Sequence, residues 1–245
     1  NPLKPCQSGQ EEAEKLPSIQ GCYLLMDGAT GTPVAVMDAA ELTARRTAAA
    51  SALAADYLSR SDAGRLLVVG SGRMAATIAF AHRAVRPITE VRVWARTVEK
   101  AESVAARYRA AGLDATAEPD LQQGVGWADI VSGCTMSEQP LIKGEWVRPD
   151  THIDLLGAFK PTMRESDDRL VAAAEVFADT RDGVLAEAGD LLIPIANGNF
   201  APQQIRAELS ELTRGAHPGR ENDRQITLFK SVGASLEDLA AAIYC

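Results

Sequence analysis

Three small residues in the stretch GSGRMA, namely Gly70, Gly72 and Ala75, are spaced as G-x-G-x-x-A. In that spacing the first glycine permits a tight turn and the second lets backbone approach a pyrophosphate. The third small residue lets a helix pack close to a strand. The N–H groups at the start of such a helix, around Ser71, Arg73 and Met74, then face phosphate oxygens. An apolar run, RLLVV from Arg65, precedes the turn, and a helical pattern from Met74 to Val85 follows it. That context turns a weak motif into an expected dinucleotide cradle. The next apolar run, EVRVWA, ends at Ala95. An acid that would hold ribose hydroxyls is missing there, and Arg96 and Thr97 follow instead. A planar guanidinium suits a 2′-phosphate, so the expected cofactor is NADPH, with NADH the alternative.

The elements that must position this turn can be read from the pattern around it. GCYLLMDGATGTPVAVMD places two apolar runs about Asp-Gly-Ala-Thr-Gly and predicts a β-hairpin. Ala40 to Leu58 is Ala-rich without Gly or Pro and predicts a long helix. From Arg65 strands and helices alternate. Further strands are expected in 128–134, 151–158 and 175–179, and a helix over Val98–Ala111. Alternation of this kind implies a doubly wound parallel sheet. The pattern turns irregular after Asn197, before a last helix from Ser235 to Ile243. The expected fold class is α/β, a Rossmann-type nucleotide-binding domain over about residues 60–200. The remaining ends, 1–59 and 201–245, would pair into a second, small α+β domain.

Bulk properties exclude several classes. The 245 residues carry 46% hydrophobic and 24% charged side chains, ordinary for a globular chain. A net charge of −8 with interspersed signs argues against a nucleic-acid surface. No apolar run is long enough to span a bilayer and no signal peptide opens the chain. Cys6, Cys22, Cys134 and Cys245 lack metal-ligand spacing and read as reduced thiols of a cytoplasmic protein. His82, His152 and His217 are too dispersed for a His-rich metal site, so no metal is expected. His152 reads as structural. Asp167 and Asp168 diverge on a helix and read as solvated. Trp94, Trp127 and Trp146 read as packing residues.

LTARRTAAASALAADYL, GSGRMA, GEWVRPDTHIDLLGAFKPTMRESDD and TLFKSVGASLEDLAA occur in the order in which the ornithine cyclodeaminase/μ-crystallin family carries its motifs. The chain resembles that family from about Leu16 to its end. The resemblance implies a Rossmann domain joined to a dimer-forming substrate domain. It also implies that Arg46, before Thr-Ala-Ala, binds a substrate carboxylate, a task suited to a guanidinium fork; alone, Arg45 and Arg46 would read as exposed helix residues. By position, Thr135 and Met136 would contact the adenosine or phosphates. Ser231, Val232 and Gly233 would approach the nicotinamide and substrate, whereas Lys230 reads more weakly, as a surface residue. Family members that handle a free amine carry an aspartate where this chain has Phe159. An aromatic ring can neither accept a proton nor pair with an ammonium. The segment resembles the ketimine-reductase branch instead. That implies reduction of Δ1-pyrroline-2-carboxylate and Δ1-piperideine-2-carboxylate to L-proline and L-pipecolate by a homodimer. The rivals are an alanine-type amino-acid dehydrogenase, an ornithine cyclodeaminase, and a non-catalytic NADPH-binding protein. The family's upstream lysine and arginine find no counterpart, only Lys4 and Lys15. The chain is therefore expected to lack part of that segment, and no proton donor is assigned.

Overall fold

The computed structural model describes residues 21–245. The readings made for the first fifteen residues, Lys4 and Lys15 included, lie outside them.

Strands β1 (Cys22–Met26) and β2 (Pro33–Asp38) pair antiparallel as the expected hairpin. Asp38 then caps helix α1 (Ala39–Leu58), its carboxylate accepting from the N–H groups of Ala40 and Glu41 at 2.8 and 3.0 Å. Next come β3 (Arg65–Val69), α2 (Ile78–Val85), β4 (Glu90–Trp94), α3 (Val98–Ala110), β5 (Asp114–Ala117) and α4 (Leu121–Trp127). They are followed by β6 (Ile130–Gly133), β7 (His152–Leu155), α5 (Asp168–Ala173), β8 (Glu175–Ala178), α6 (Arg181–Glu187) and α7 (Gly189–Ala196). The chain ends with β9 (Ile205–Glu208), α8 (Leu209–Thr213), β10 (Thr227–Lys230) and α9 (Ser235–Tyr244).

Among the described residues eight strands form one sheet in the order β5-β4-β3-β6-β7-β10-β8-β9, and every pairing is parallel. A parallel sheet is covered on both faces, and the central strand β3 (RLLVV) is accordingly apolar on both. Successive residues of β3 enter opposite cores: Leu66 and Val68 pack with Ile78, Val93 and Tyr108, and Leu67 and Val69 with Val131, Ile153 and Leu155.

Three expectations change. The sheet does not stop near residue 200: β9 and β10 belong to it, and β10 lies between β7 and β8. Helix α1, expected in the second domain, also packs on the sheet, with Ala54 and Leu58 against Phe177 of β8 and Phe229 of β10. The helix after the glycine turn begins at Ile78 rather than Met74. Residues 72–77 are instead wound in tighter turns, where the Thr77 hydroxyl donates to the Met74 carbonyl at 2.9 Å and competes with the helical ladder.

The sheet also encloses a polar seam. His152 is fully buried, its Nδ1 2.9 Å from the Thr227 hydroxyl. That hydroxyl donates to the Leu58 carbonyl at 2.8 Å, so His152 must be the donor in their bond. Burial pushes its pKa down to about 3, against the pull of nearby Asp154. It is a structural histidine. Trp127 packs under the Arg92 guanidinium at 4.1 Å, a packing role as expected. Asp167 and Asp168 are not merely solvated. Asp167 caps α5 and also accepts from Gly144 N–H at 2.9 Å. Asp168 accepts from Arg164, Asn197 and Asn199; although burial pushes its pKa up, these bonds bring it down to about 2.

Candidate functional site

All the strand ends that matter point to one edge. The loops after β3, β4, β6, β7, β8 and β10 leave the carboxyl ends of parallel strands, where an open α/β sheet binds ligands. Gly70 has a φ of +137°, and a Cβ there would lie 2.8 Å from the Cys134 carbonyl oxygen. The turn therefore touches the end of β6 and needs a glycine for its own sake. Gly72 differs: among the described residues no atom lies within 4 Å of where its Cβ would be. The space beside Gly72 is free for a ligand, as a pyrophosphate cradle requires. Among the described residues no protein carbonyl accepts from the N–H groups of Ser71, Gly72, Arg73 or Met74. Ala75 is fully buried, and its carbonyl accepts from the Tyr108 hydroxyl, which closes the turn against α3.

Arg96 and Thr97 stand exposed beyond β4, at the start of α3. Arg73 is exposed and 4.0 Å from Glu41. Thr135 is half-buried after β6, and its neighbour Met136 is exposed. Phe159 stands half-buried beyond β7, its ring 6.0 Å from the Lys160 ammonium.

The loop after β10 meets α1 from across the sheet. Asp179, at the end of β8, is buried and accepts from the Ser231 hydroxyl at 3.0 Å and from the N–H groups of Val232 and Gly233 at 2.9 and 2.7 Å. This carboxylate sets the loop. Gly233, at φ +91°, then lies against Arg46: a Cβ there would be 2.6 Å from both terminal guanidinium nitrogens. Arg46 is largely buried, Nε bonding Asp238 and Nη1 bonding Glu237, each at 2.8 Å. Burial pushes the Glu237 carboxyl up from its ordinary pKa, and the arginine draws it back in part. Among the described residues, two of the five guanidinium N–H groups are thus used to fix the side chain, and the fork keeps donors with which it can grip a carboxylate. Arg45, by contrast, is exposed and paired with Glu41 one turn away.

Four buried charged positions at this edge carry no signal in the sequence. Lys230 is fully buried, not a surface residue, and lies 3.2 Å from the equally buried Asp190. Glu165 is buried too, and both its oxygens accept from the loops after β6 and β7. Asp179 completes the set. Among the described residues no group of three or more His, Cys, Asp or Glu side chains is placed to hold a metal ion, and no helix is long and apolar enough to cross a membrane.

Comparison with known proteins agrees with this geometry. The family model described as "Ornithine cyclodeaminase/mu-crystallin family" matches residues 6–245. The chain is 42% identical over 233 residues to the Delta(1)-pyrroline-2-carboxylate reductase of Paracoccus denitrificans, covering 95% of this chain and 74% of that one. Its fold superposes with a TM-score of 0.90 on the Thermococcus litoralis Delta(1)-pyrroline-2-carboxylate reductase in complex with NADH and L-proline, at 36% identity, covering 93% of this chain and 71% of that one. It superposes with a TM-score of 0.88 on an archaeal alanine dehydrogenase dimer with bound NAD, at 30% identity, covering 94% of this chain and 71% of that one. The chain belongs to the ornithine cyclodeaminase/μ-crystallin family.

Proposed function

We propose that this chain reduces the C=N bond of a cyclic imino acid with a nicotinamide dinucleotide, converting Δ1-pyrroline-2-carboxylate to L-proline and Δ1-piperideine-2-carboxylate to L-pipecolate. The observation that carries the reading is the position of Arg46 beside the Ser231–Gly233 loop, at the sheet edge that also holds the Gly70–Ala75 turn. Relatives named for pyrroline-2-carboxylate reduction, and a neighbour holding NADH and L-proline, support it.

The residues divide the work as follows. The N–H groups from Ser71 to Met74 hold the pyrophosphate, and Thr135, Met136 and Val232 line the rest of the cofactor site. Arg96 and Thr97 receive a 2′-phosphate, so NADPH is preferred over NADH. The bound dinucleotide supplies hydride to the imine carbon. Arg46 orients the substrate by its carboxylate, with Ser231 and Gly233 at its side. Phe159 offers an apolar wall where amine-handling relatives place an aspartate. The reading as an alanine-type dehydrogenase or cyclodeaminase is weaker for that reason.

The same proposal takes the hairpin, α9 and the start of α1 as the substrate and dimer region. Leu24, Met26, Val34 and Val36 of the hairpin and Leu236, Ile243 and Tyr244 of α9 are exposed apolar side chains of the kind a homodimer covers. A cytoplasmic location fits the free thiols of Cys22, Cys134 and Cys245.

The test is oxidation of NADPH and of NADH in the presence of each cyclic imine, with the unaltered chain, Arg46→Ala and Arg46→Lys. Imine-dependent oxidation should fall about a hundredfold in kcat/KM without the guanidinium. Arg46→Lys keeps a counter-charge for Glu237 and Asp238 while losing the fork, which separates a lost clamp from a lost fold. Dinucleotide binding with no imine-dependent oxidation would sink the proposal.

A further inference from the structure

Glu165 lies in the segment between β7 and α5, far in sequence from the glycine turn and fully buried. Its Oε1 accepts from Thr135 N–H at 2.6 Å and from the Thr135 hydroxyl at 2.9 Å. Its Oε2 accepts from Gly157 N–H at 2.8 Å. Thr135 follows β6 and Gly157 follows β7, so one carboxylate ties together the ends of two adjacent strands. The fit is tight. A Cβ on Gly157 would lie 1.9 Å from the Thr135 carbonyl oxygen, and one on Gly133 would lie 3.0 Å from the Glu165 carboxylate.

A second buried pair backs this carboxylate. Asp190, at the start of α7, accepts from the N–H groups of Glu165 and Ser166 at 2.8 and 2.9 Å. Its other oxygen is 3.2 Å from the Lys230 ammonium, which also donates to the Leu155 carbonyl at 3.2 Å. Lys230 immediately precedes Ser231. The cluster therefore reaches the ends of β6, β7 and β10, which are neighbours in the sheet.

We propose that Glu165 is a positioning residue for the cofactor, its carboxylate holding the Thr135 and Gly157 loops in the shape that receives the dinucleotide. This rests on the reading that this edge binds a nicotinamide dinucleotide.

A pH dependence follows. Three donors converge on the carboxylate, and protonation would set an O–H against one of them. The groups facing Glu165 are Lys230 from β10, Asp190 from α7 and Cys134 from the end of β6. Burial pushes the Glu165 carboxyl up, Lys230 pulls it down and Asp190 pushes it up again, to about 7. Two carboxylates and one ammonium share this dry space, so Glu165 holds a proton more tightly than an exposed glutamate does. Cofactor affinity should fall as pH drops through that range, because the protonated form no longer anchors both loops.

The test is direct titration of NADPH, followed by its fluorescence, against the unaltered chain, Glu165→Gln and Thr135→Val between about pH 6 and about pH 8.5, the span over which such a group titrates. Glu165→Gln should weaken binding about tenfold or more at the upper end, the loss of a charge-assisted hydrogen bond, and its dissociation constant should no longer vary with pH. Thr135→Val removes one donor to the charged form, so the midpoint of its pH profile should move upward. That variant leaves the buried charges in place and serves if Glu165→Gln does not fold. A role confined to stability would lower the unfolding temperature of these variants and leave the pH profile of binding unchanged. Glu165→Gln with the affinity and pH profile of the unaltered chain overturns the proposal, and so does Thr135→Val with an unmoved midpoint. If the unaltered chain binds no dinucleotide at all, the functional reading beneath the proposal fails with it.

Discussion

Alanine substituted at Gly70 and at Gly72 should do opposite things, although the two residues share one motif. At Gly70 the backbone sits at φ +137°, a region that L side chains rarely adopt, and the added Cβ would be 2.8 Å from a backbone carbonyl oxygen. The backbone strain is worth about 1–3 kcal/mol and the overpacking another ~1–3 kcal/mol. Gly70→Ala should therefore lose about 2–6 kcal/mol without any ligand, which for a chain of this size lowers the unfolding temperature by roughly 5–20 °C. At Gly72 no atom of the described residues lies within 4 Å of the added Cβ, and the backbone is not left-handed. The ligand-free protein should be as stable as before, or stabilised by about 0.4–1 kcal/mol through a less flexible unfolded chain. What Gly72→Ala should lose is the dinucleotide. With ligand at about 100 times the dissociation constant, the unaltered protein gains about 2.7 kcal/mol. If the methyl group weakens binding about a hundredfold, the same concentration stabilises the variant by only about 0.4 kcal/mol. Thermal unfolding with and without NADPH separates the two effects in one assay. A Gly72→Ala protein that shows the full ligand-induced shift, or a Gly70→Ala protein with an unaltered ligand-free transition, would refute the reasoning.

Three further outcomes are expected. Lys230→Met strands the buried Asp190 and Glu165 carboxylates, so chemical denaturation should show a loss of about 3–5 kcal/mol. The buried neutral His152 has a folded pKa of about 3, below its ordinary value of 6.5, so its contribution is intact above pH 6.5 and is lost as pH falls from there towards 3. His152→Gln should flatten that acid limb, and unfolding temperatures that fall with pH as steeply as in the unaltered chain would count against it. Arg96→Ala should weaken NADPH by about tenfold, the loss of a charged hydrogen bond, and leave NADH nearly unchanged; equal losses for both would remove the case for 2′-phosphate recognition.

The parts of this molecule that sequence made visible are those whose neighbours in sequence are also neighbours in space. The glycine turn, its preceding strand and the hairpin are local, and each carries its own periodicity. Strand β5, Asp-Ala-Thr-Ala, sits at the sheet edge with only small side chains, and no apolar run announces it. Helix α4 contains two glycines and depends on the Asp120 cap and on packing rather than on propensity. Strands β9 and β10 are four residues each, and β10 ends in a lysine that reads as exposed. That lysine is buried because Asp190 and Glu165 arrive from elsewhere in the chain with the opposite charge. The same holds for Arg46, which reads as one of two surface arginines until α9 supplies Glu237 and Asp238. Compensation between distant elements leaves no trace in composition or spacing.

The place of β10 in the sheet bears on how the protein is made. Among the described residues, strands β8 and β9 touch the rest of the sheet only through β10, which pairs with β7 on one side and β8 on the other. As the chain leaves the ribosome, β3 to β7 can assemble in the order of their synthesis. The β8–β9 pair must wait beside them with an open edge until β10, close to the end of the described chain, enters between β7 and β8. That gap closes over the Lys230 ammonium, so the buried charge cluster forms in the same event. Release of a chain cut short before Thr227 should leave two separate sheet fragments with unpaired edges, a form prone to aggregation and to proteolysis.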